Sequence, residues 1–298
     1  MQRHFADYIF RSYRKRKAIN ALMCGLLVLA ATLAIFPLFS VFGYVVAQGY
    51  SALNWEFFTA VPKPVGEIGG GMANALLGTC TLVALASLIG IPWGVSVALY
   101  LSEYGGKQGR GRFAGVVRFS ADMLSSIPSI IVGLFVYALV VITMRRFSAV
   151  AGGLALGILM IPTVCRTTEE LLRMIPEHIR EAGLALGLPR WKVILWIILK
   201  GSRGPITTGI MLSIARVSGE TAPLLFTAFN NRFWQSGLDQ PIASLPVQIY
   251  TYAISPYDDW HRQAWAGALL LVMLVFAMNL LTRVVFNSGG NSKKQGGN

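Results

Sequence analysis

Apolar residues in this chain fall in blocks long enough to cross a membrane, and that constrains everything else it can be. A bilayer core of about 30 Å takes roughly 20 helical residues to span. Five blocks meet the need: Ala18–Gln48, Met72–Leu101, Ser120–Met144, Ala149–Cys165 and Gln263–Phe286. A sixth, Pro205–Ala228, is less apolar and carries Arg216 and Glu220. Only 13% of the 298 residues are charged against 54% apolar, too little charge to cover a water-soluble surface. In lipid, a spanning segment must pair its own backbone polar groups. The expected fold is therefore all-α, a polytopic membrane protein with about six transmembrane helices. Residues 1–17 form a basic segment, expected as a cytoplasmic arm or short surface helix. The spans occupy 18–286, and the Gly/Asn/Ser/Lys-rich tail 287–298 is expected to be disordered.

The net charge of +13 would suggest a nucleic-acid partner on a soluble protein. Its distribution argues against that. With six spans and a cytoplasmic N-terminus, 20 of the 26 Lys and Arg fall on the cytoplasmic side, and Arg216 lies within a span. The positive-inside rule then sets both termini in the cytoplasm. The first block is too long for the core of a signal peptide and is read as a retained helix. Cys24, Cys80 and Cys165 are scattered, as are His4, His178 and His261, so no metal or cofactor is expected. No nucleophile–base set points to an enzyme.

The long loop 166–204 carries more information. Pro176–Leu188 (PEHIREAGLALGL) has a proline suited to the first helical turn, Glu177 near it, and Gly187 placed to end a helix. Ile179, Ala182, Gly183 and Leu186 recur at helical spacing as an apolar stripe, with Glu177, Arg180 and Glu181 across from it. A second helix, Pro189–Leu199, leads into the next span. Such an element is either a docking surface, approached closely at Ala182 and Gly183, or an amphipathic helix lying on lipid.

The run Glu181-Ala182-Gly183, then Gly187 and Ile197, resembles the EAA loop of ABC-importer permeases, with Gly183 and Lys200 standing where the family has Ala and Pro. The resemblance implies that 177–199 is a coupling element for a separate ATPase, with Glu181, Ala182, Gly183 and Gly187 at the contact. No G-x-x-x-x-G-K-[ST] phosphate loop occurs, since Leu101 stands where the one Gly-Lys pair would need its first glycine. ATP hydrolysis is accordingly expected from a partner subunit.

Arg216 and Glu220 are four apart and share a face of a continuous helix. Ionisable groups at that depth usually face a bundle interior or a water-filled path. Two readings stand: a self-neutralising structural pair, or an arginine fork for an oxyanion with Glu220 orienting or releasing it. Pro223 is expected to interrupt the helix beside them. Ser125, Ser126 and Ser129 flank Pro128 in the third span, and Thr167 follows Arg166 at the inner end of the fourth. Hydroxyls in such helices more often bond their own carbonyls. Arg166 either snorkels to the inner surface or lines the path.

The wording of these segments is more specific than their chemistry. Ala215–Thr227 (ARVSGETAPLLFT) resembles the signature of phosphate-importer permeases of the PstA family. Ile127–Phe135, Gly69–Ala75, Arg166–Glu169 and Gln240–Val247 look like the same family, so the resemblance covers about 18–286. It implies a type I importer permease of the bacterial inner membrane that forms half a pore for phosphate. The implied partners are a second homologous permease, two copies of an ATP-binding subunit and a periplasmic phosphate-binding protein. Arg166, Arg216 and Glu220 match positions used for transport, and Ser126, Ser129 and Thr167 are candidate path residues with them. From physics alone the cargo is an oxyanion; molybdate, sulfate and phosphonate compete with phosphate. A proton-coupled carrier using Glu220 is disfavoured by the EAA-like loop and the lack of inverted halves.

Overall fold

The computed structural model describes residues 2–64, 67, 69–105 and 111–287. The expected disorder of the tail therefore lies outside the described residues, apart from Asn287. Helix α1 (Gln2–Gly49) is continuous and runs from the basic segment into the first apolar block without a break. After it come α2 (Trp55–Thr59), begun by Asn54, whose side chain accepts the Phe57 N–H, and α3 (Ala73–Leu99), prolonged by a π-helical turn, Tyr100–Tyr104. Helices α4 (Arg112–Ser126) and α5 (Ser129–Val136) follow, and α5 is carried on to Met144 through a second π-helical segment. Helix α6 (Ala149–Arg173) is capped by the Ser148 hydroxyl, which accepts the Ala151 N–H at 3.1 Å. The segment 174–202 holds α7 (Glu177–Ala185) and α8 (Arg190–Lys192), the latter extended by the π-helical run Val193–Ile198 and the turn Leu199–Gly201. Helices α9 (Arg203–Ser218), α10 (Ala222–Thr227), α11 (Leu245–Ala253) and α12 (Asp258–Asn287) complete the chain.

The bundle is built around α3 and α6. Each carries a Gly-x-x-x-Gly step, Gly90/Gly94 and Gly153/Gly157, which lets the backbones approach where lipid gives little hydrophobic drive. A Cβ on Gly90 would lie 2.7 Å from Met160 Cβ, and one on Gly153 2.6 Å from Leu85 Cβ. Residue numbers rise together along the seam (Leu85 against Gly153, Gly94 against Val164), so the two helices run parallel. Parallel neighbours need a crossing between them, which α4 and α5 supply. Buried Leu82, Leu156, Met160 and Val164 fill the seam, continuous with Leu172, Val193 and Ile198 toward the α7–α8 segment.

Among the described residues, four helices are long and apolar enough to cross a membrane, Lys15–Ala52, Ala73–Tyr104, Ala149–Arg173 and Asp258–Leu281. The remaining two blocks are each divided into two helices. Ser120–Met144 is not one helix: α4 and α5 meet at 101°. Pro128 has no N–H to donate and steers Ile127 out of the helical region, to φ −70 and ψ 131. Helix α4 is amphipathic, with Ala114 and Ala121 buried and Phe113, Val116 and Phe119 exposed. Pro205–Ala228 is likewise broken, into α9 and α10.

At the opposite end of the bundle lies the stretch Pro241–Ala253. It folds back onto the protein. Ile242, Ala243, Leu245 and Val247 are buried, and the Leu245 N–H donates to Thr79 Oγ1 at 2.8 Å. Irregular backbone at depth is tolerated where the protein itself supplies such partners. Helix α1, by contrast, touches α12 near one end, with Tyr44 and Trp265 edge-to-face at 5.1 Å, and none of its apolar window is buried. That surface suits hydrocarbon rather than water.

Candidate functional site

The expected Arg216–Glu220 pair is not formed. Helix α9 ends at Ser218, Gly219 caps it, and the Gly219 N–H closes a tight turn on the Arg216 carbonyl at 3.2 Å. The i,i+4 geometry needs a continuous helix between the two residues. Here Glu220 lies beyond the helix end, half-buried, while Arg216 is exposed; neither makes an ion pair among the described residues. Nor is Pro223 the interruption. The helix ends four residues earlier, at Gly219, and Pro223 sits in the first turn of α10, where a missing N–H costs nothing.

The break is nevertheless held firmly. A Cβ on Gly133 of α5 would lie 2.6 Å from Pro223 Cα, and one on Gly152 of α6 would meet Leu82, Leu224 and Ala228. Helix α10 is thus wedged between α5 and α6, with Leu224 and Thr227 buried. The unpaired Arg216 is carried by backbone fixed on the side leading into α10, which limits the freedom lost when it grips a ligand.

The other expected path residues are distributed unevenly. Thr167 packs on α9, where a Cβ on Gly209 would meet its hydroxyl at 2.7 Å, and that hydroxyl donates to the Thr163 and Val164 carbonyls. Ser126, exposed at the α4–α5 elbow, donates to the Met123 carbonyl at 2.8 Å. Ser129, half-buried, opens α5. Thr167 and Ser126 therefore bond their own helices, as mid-membrane hydroxyls commonly do. Arg166 is ion-paired with Asp122 of α4 and stands 3.9 Å from Glu169.

Sequence reading missed the centre of that cluster. Glu169, 3% exposed, accepts Arg118 Nε at 2.7 Å and Arg173 Nη2 at 2.9 Å on one oxygen. Arg118 also donates to the Leu101 carbonyl at 3.0 Å, joining α4 to α6 and to the end of α3. A carboxylate four residues past an apolar block, beside two arginines at helical spacing, was the available signal.

In the α7–α8 segment the structure keeps the helix and turns its faces. Gly187 is left-handed at φ 78, its N–H bonds the Leu184 carbonyl and the Leu188 N–H bonds the Gly183 carbonyl, the paired closure of a Schellman cap. Gly183 is buried against the chain itself: a Cβ there would lie 2.9 Å from Ile197 Cδ1 and 3.0 Å from Val193 Cγ2. So the close approach expected from outside at Gly183 is an internal one, and glycine stands there because α8 leaves no room. The expected stripe is also split. Ile179 and Gly183 turn inward, whereas Ala182 is exposed and Leu186 is 81% exposed, beside exposed Glu181, Leu184 and Met174. Arg180, placed by the sequence on the outer polar face, reaches inward to Glu103.

The family model for binding-protein-dependent transport system inner membrane components matches residues 90–288. Among curated proteins, the phosphate transport system permease protein PstA of Yersinia pestis is 48% identical over 241 residues, 81% of each chain. The protein of the same description from Haemophilus influenzae is 45% identical over 272 residues, 91% of this chain and 95% of that one. Among solved structures, an inward-facing MetNI methionine ABC transporter aligns with a TM-score of 0.57 at 19% identity, over 72% of this chain and 92% of that one. A bacterial ABC transporter involved in import of the acidic polysaccharide alginate aligns at 0.57 and 15%, over 92% and 99%. At such identities the likeness to these two is one of fold.

Proposed function

Because the chain belongs to the binding-protein-dependent transport system inner membrane components, among the PstA phosphate permeases, we propose that it forms half of a pore carrying inorganic phosphate inward. The chain is a transport subunit of the inner membrane, and ATP hydrolysis falls to a separate ATP-binding subunit. Two copies of that subunit, a second homologous permease and a periplasmic phosphate-binding protein complete the machine. Arg216 is the contact for the anion, and the observation that carries this role is its exposure with no acidic partner among the described residues. A guanidinium presents two parallel N–H groups to two phosphate oxygens. Glu220, beyond the helix end, is positioned in sequence to compete for the same guanidinium and release the anion inward. Arg166, Thr167, Ser126 and Ser129 extend the path toward the elbow and the inner end of α6. The exposed Glu181, Ala182 and neighbouring Leu186 form the surface that meets the ATPase, while Gly183 and Gly187 shape it.

Uptake into proteoliposomes of the full complex tests the cargo. Labelled phosphate is expected to accumulate with ATP, and excess molybdate, sulfate or phosphonate to compete by less than about a tenth as well as unlabelled phosphate. Equal competition by sulfate would replace the cargo. Orientation is a second expectation. In a chain without Cys24, Cys80 and Cys165, single cysteines at Ser51 and Ser236 are labelled from outside intact cells and one at His178 is not. Labelling at His178 would invert the loop.

A further inference from the structure

Helix α7 is attached to the bundle in two different ways. One is the apolar seat of Gly183 against Val193 and Ile197. The other is Arg180. Its Nε lies 3.1 Å from both carboxylate oxygens of Glu103, and its Nη2 donates to Oε1 at 2.8 Å. The same side chain donates from Nη1 to the Ile175 carbonyl at 2.6 Å and from Nη2 to the Leu172 carbonyl at 2.9 Å. All three nitrogens are used. Glu103 is 7% exposed and Arg180 20%, so water is largely kept from the pair.

The partners belong to three elements: Glu103 to the π-helical end of α3, Leu172 and Ile175 to the end of α6, Arg180 to α7. Around them the packing is open. A cavity of about 580 Å³ lies between α7 and the end of α3, lined by Ser102, Glu103, Tyr104, Glu177, Arg180 and Arg190 among others. On its far side the Arg190 guanidinium stands 5.9 Å from the Tyr104 ring centroid, a looser second tie. Both elements that grip α7, Tyr100–Tyr104 and Val193–Ile198, do so through π-helical turns, a form that recurs at functional positions in helices.

We propose that Arg180 and Glu103 form a strut that passes displacement of α7 to α3 and α6, the parallel pair at the centre of the bundle. The inference rests on α7 being the element that the ATPase moves. A bidentate guanidinium–carboxylate contact fixes orientation as well as distance, which an apolar seat does not. Arg180 is thus a positioning residue: it touches neither phosphate nor nucleotide.

The test uses the complete complex in proteoliposomes, reading phosphate imported per ATP hydrolysed. Arg180→Lys keeps the charge without the fork, and Glu103→Gln keeps the shape without the charge. Each is expected to assemble, to hydrolyse ATP, and to import about tenfold less phosphate per ATP. The double variant Arg180→Gln with Glu103→Gln should fall no further than the singles, since all three remove one contact. Glu103→Asp, shorter by one methylene, should lose less and serves where another variant fails to assemble. Ala182→Asp is the control for the underlying reading. An unchanged ratio there would mean that α7 is not driven by the ATPase. A lowered ratio in Ala182→Asp with a wild-type ratio in the strut variants would overturn the strut alone, leaving Arg180 a fold staple whose loss lowers only thermal stability.

Discussion

Arg216→Gln is expected to lower phosphate uptake by about a hundredfold while leaving the complex assembled. Two charge-assisted hydrogen bonds at about 1.5 kcal/mol each correspond to about two decades of occupancy. Glutamine keeps much of the volume and offers one amide in place of the fork. Assembly should survive because the substitution strands nothing: Arg216 is exposed, and its side chain has no acidic partner among the described residues. Had it been paired with Glu220 in a buried site, its loss would have cost about 3–5 kcal/mol and the subunit with it. Arg216→Lys should fall between, since a point charge attracts the anion and cannot match its geometry. Glu220→Gln should spare binding and slow turnover, as it removes a competitor for the guanidinium and not the guanidinium. The measurement is labelled uptake alongside co-purification of the partner subunits. Uptake by Arg216→Gln within twofold of wild type would remove Arg216 from the path.

That prediction differs from what the sequence alone supports, and the reason is local. Four residues apart on an assumed continuous helix, Arg216 and Glu220 must be neighbours, so a structural pair stood beside the anion site as a second reading. Gly219 ends the helix between them, and a single glycine is a weak signal inside a run that is otherwise helical. Prolines misled in the same way. Pro37, Pro92 and Pro162 lie inside continuous helices, whereas Pro128 divides two helices at 101°. Local sequence does not separate them, because a proline is tolerated in a membrane helix wherever the freed backbone groups are satisfied, and a window of one sequence does not report how. Long blocks such as Met72–Leu101 and Gln263–Phe286 were legible because length and apolarity are properties of the segment itself. The helix over Glu177–Ala185 was legible for its Pro176 start and Gly187 stop. Its facing was not, because the stripe rule assumes one apolar partner, while α7 has α8 on one side and an exposed surface on the other. Pairs such as Arg180–Glu103, 77 residues apart, leave no trace in local pattern.

The charges around Glu169 give the second large effect, and it should appear in folding rather than in transport. Glu169 is 3% exposed and Arg118 17%, and their contact joins α4, just before the elbow, to α6 at the core. Arg173 and Arg166 sit at the rim, half-exposed or nearly so, and screening by water makes their share smaller. Glu169→Ala would leave Arg118 with the Leu101 carbonyl and without its carboxylate. Removing one member of a buried pair costs about 3–5 kcal/mol, a large part of the roughly 5–15 kcal/mol that holds a typical domain folded. The expected outcome is little folded subunit in the membrane and a clearly lowered melting temperature of what can be extracted. Glu169→Gln, which still accepts a hydrogen bond, should lose less. The combined change Arg118→Met with Glu169→Leu decides the role of the pair. Replacing both partners by apolar groups of similar size is often neutral or stabilising. Folded protein with near-normal phosphate uptake in that variant would make the contact architectural, holding the α4–α5 elbow to α6. Folded protein without uptake would instead make this buried charge part of the inner end of the path, beside Arg166 and Thr167.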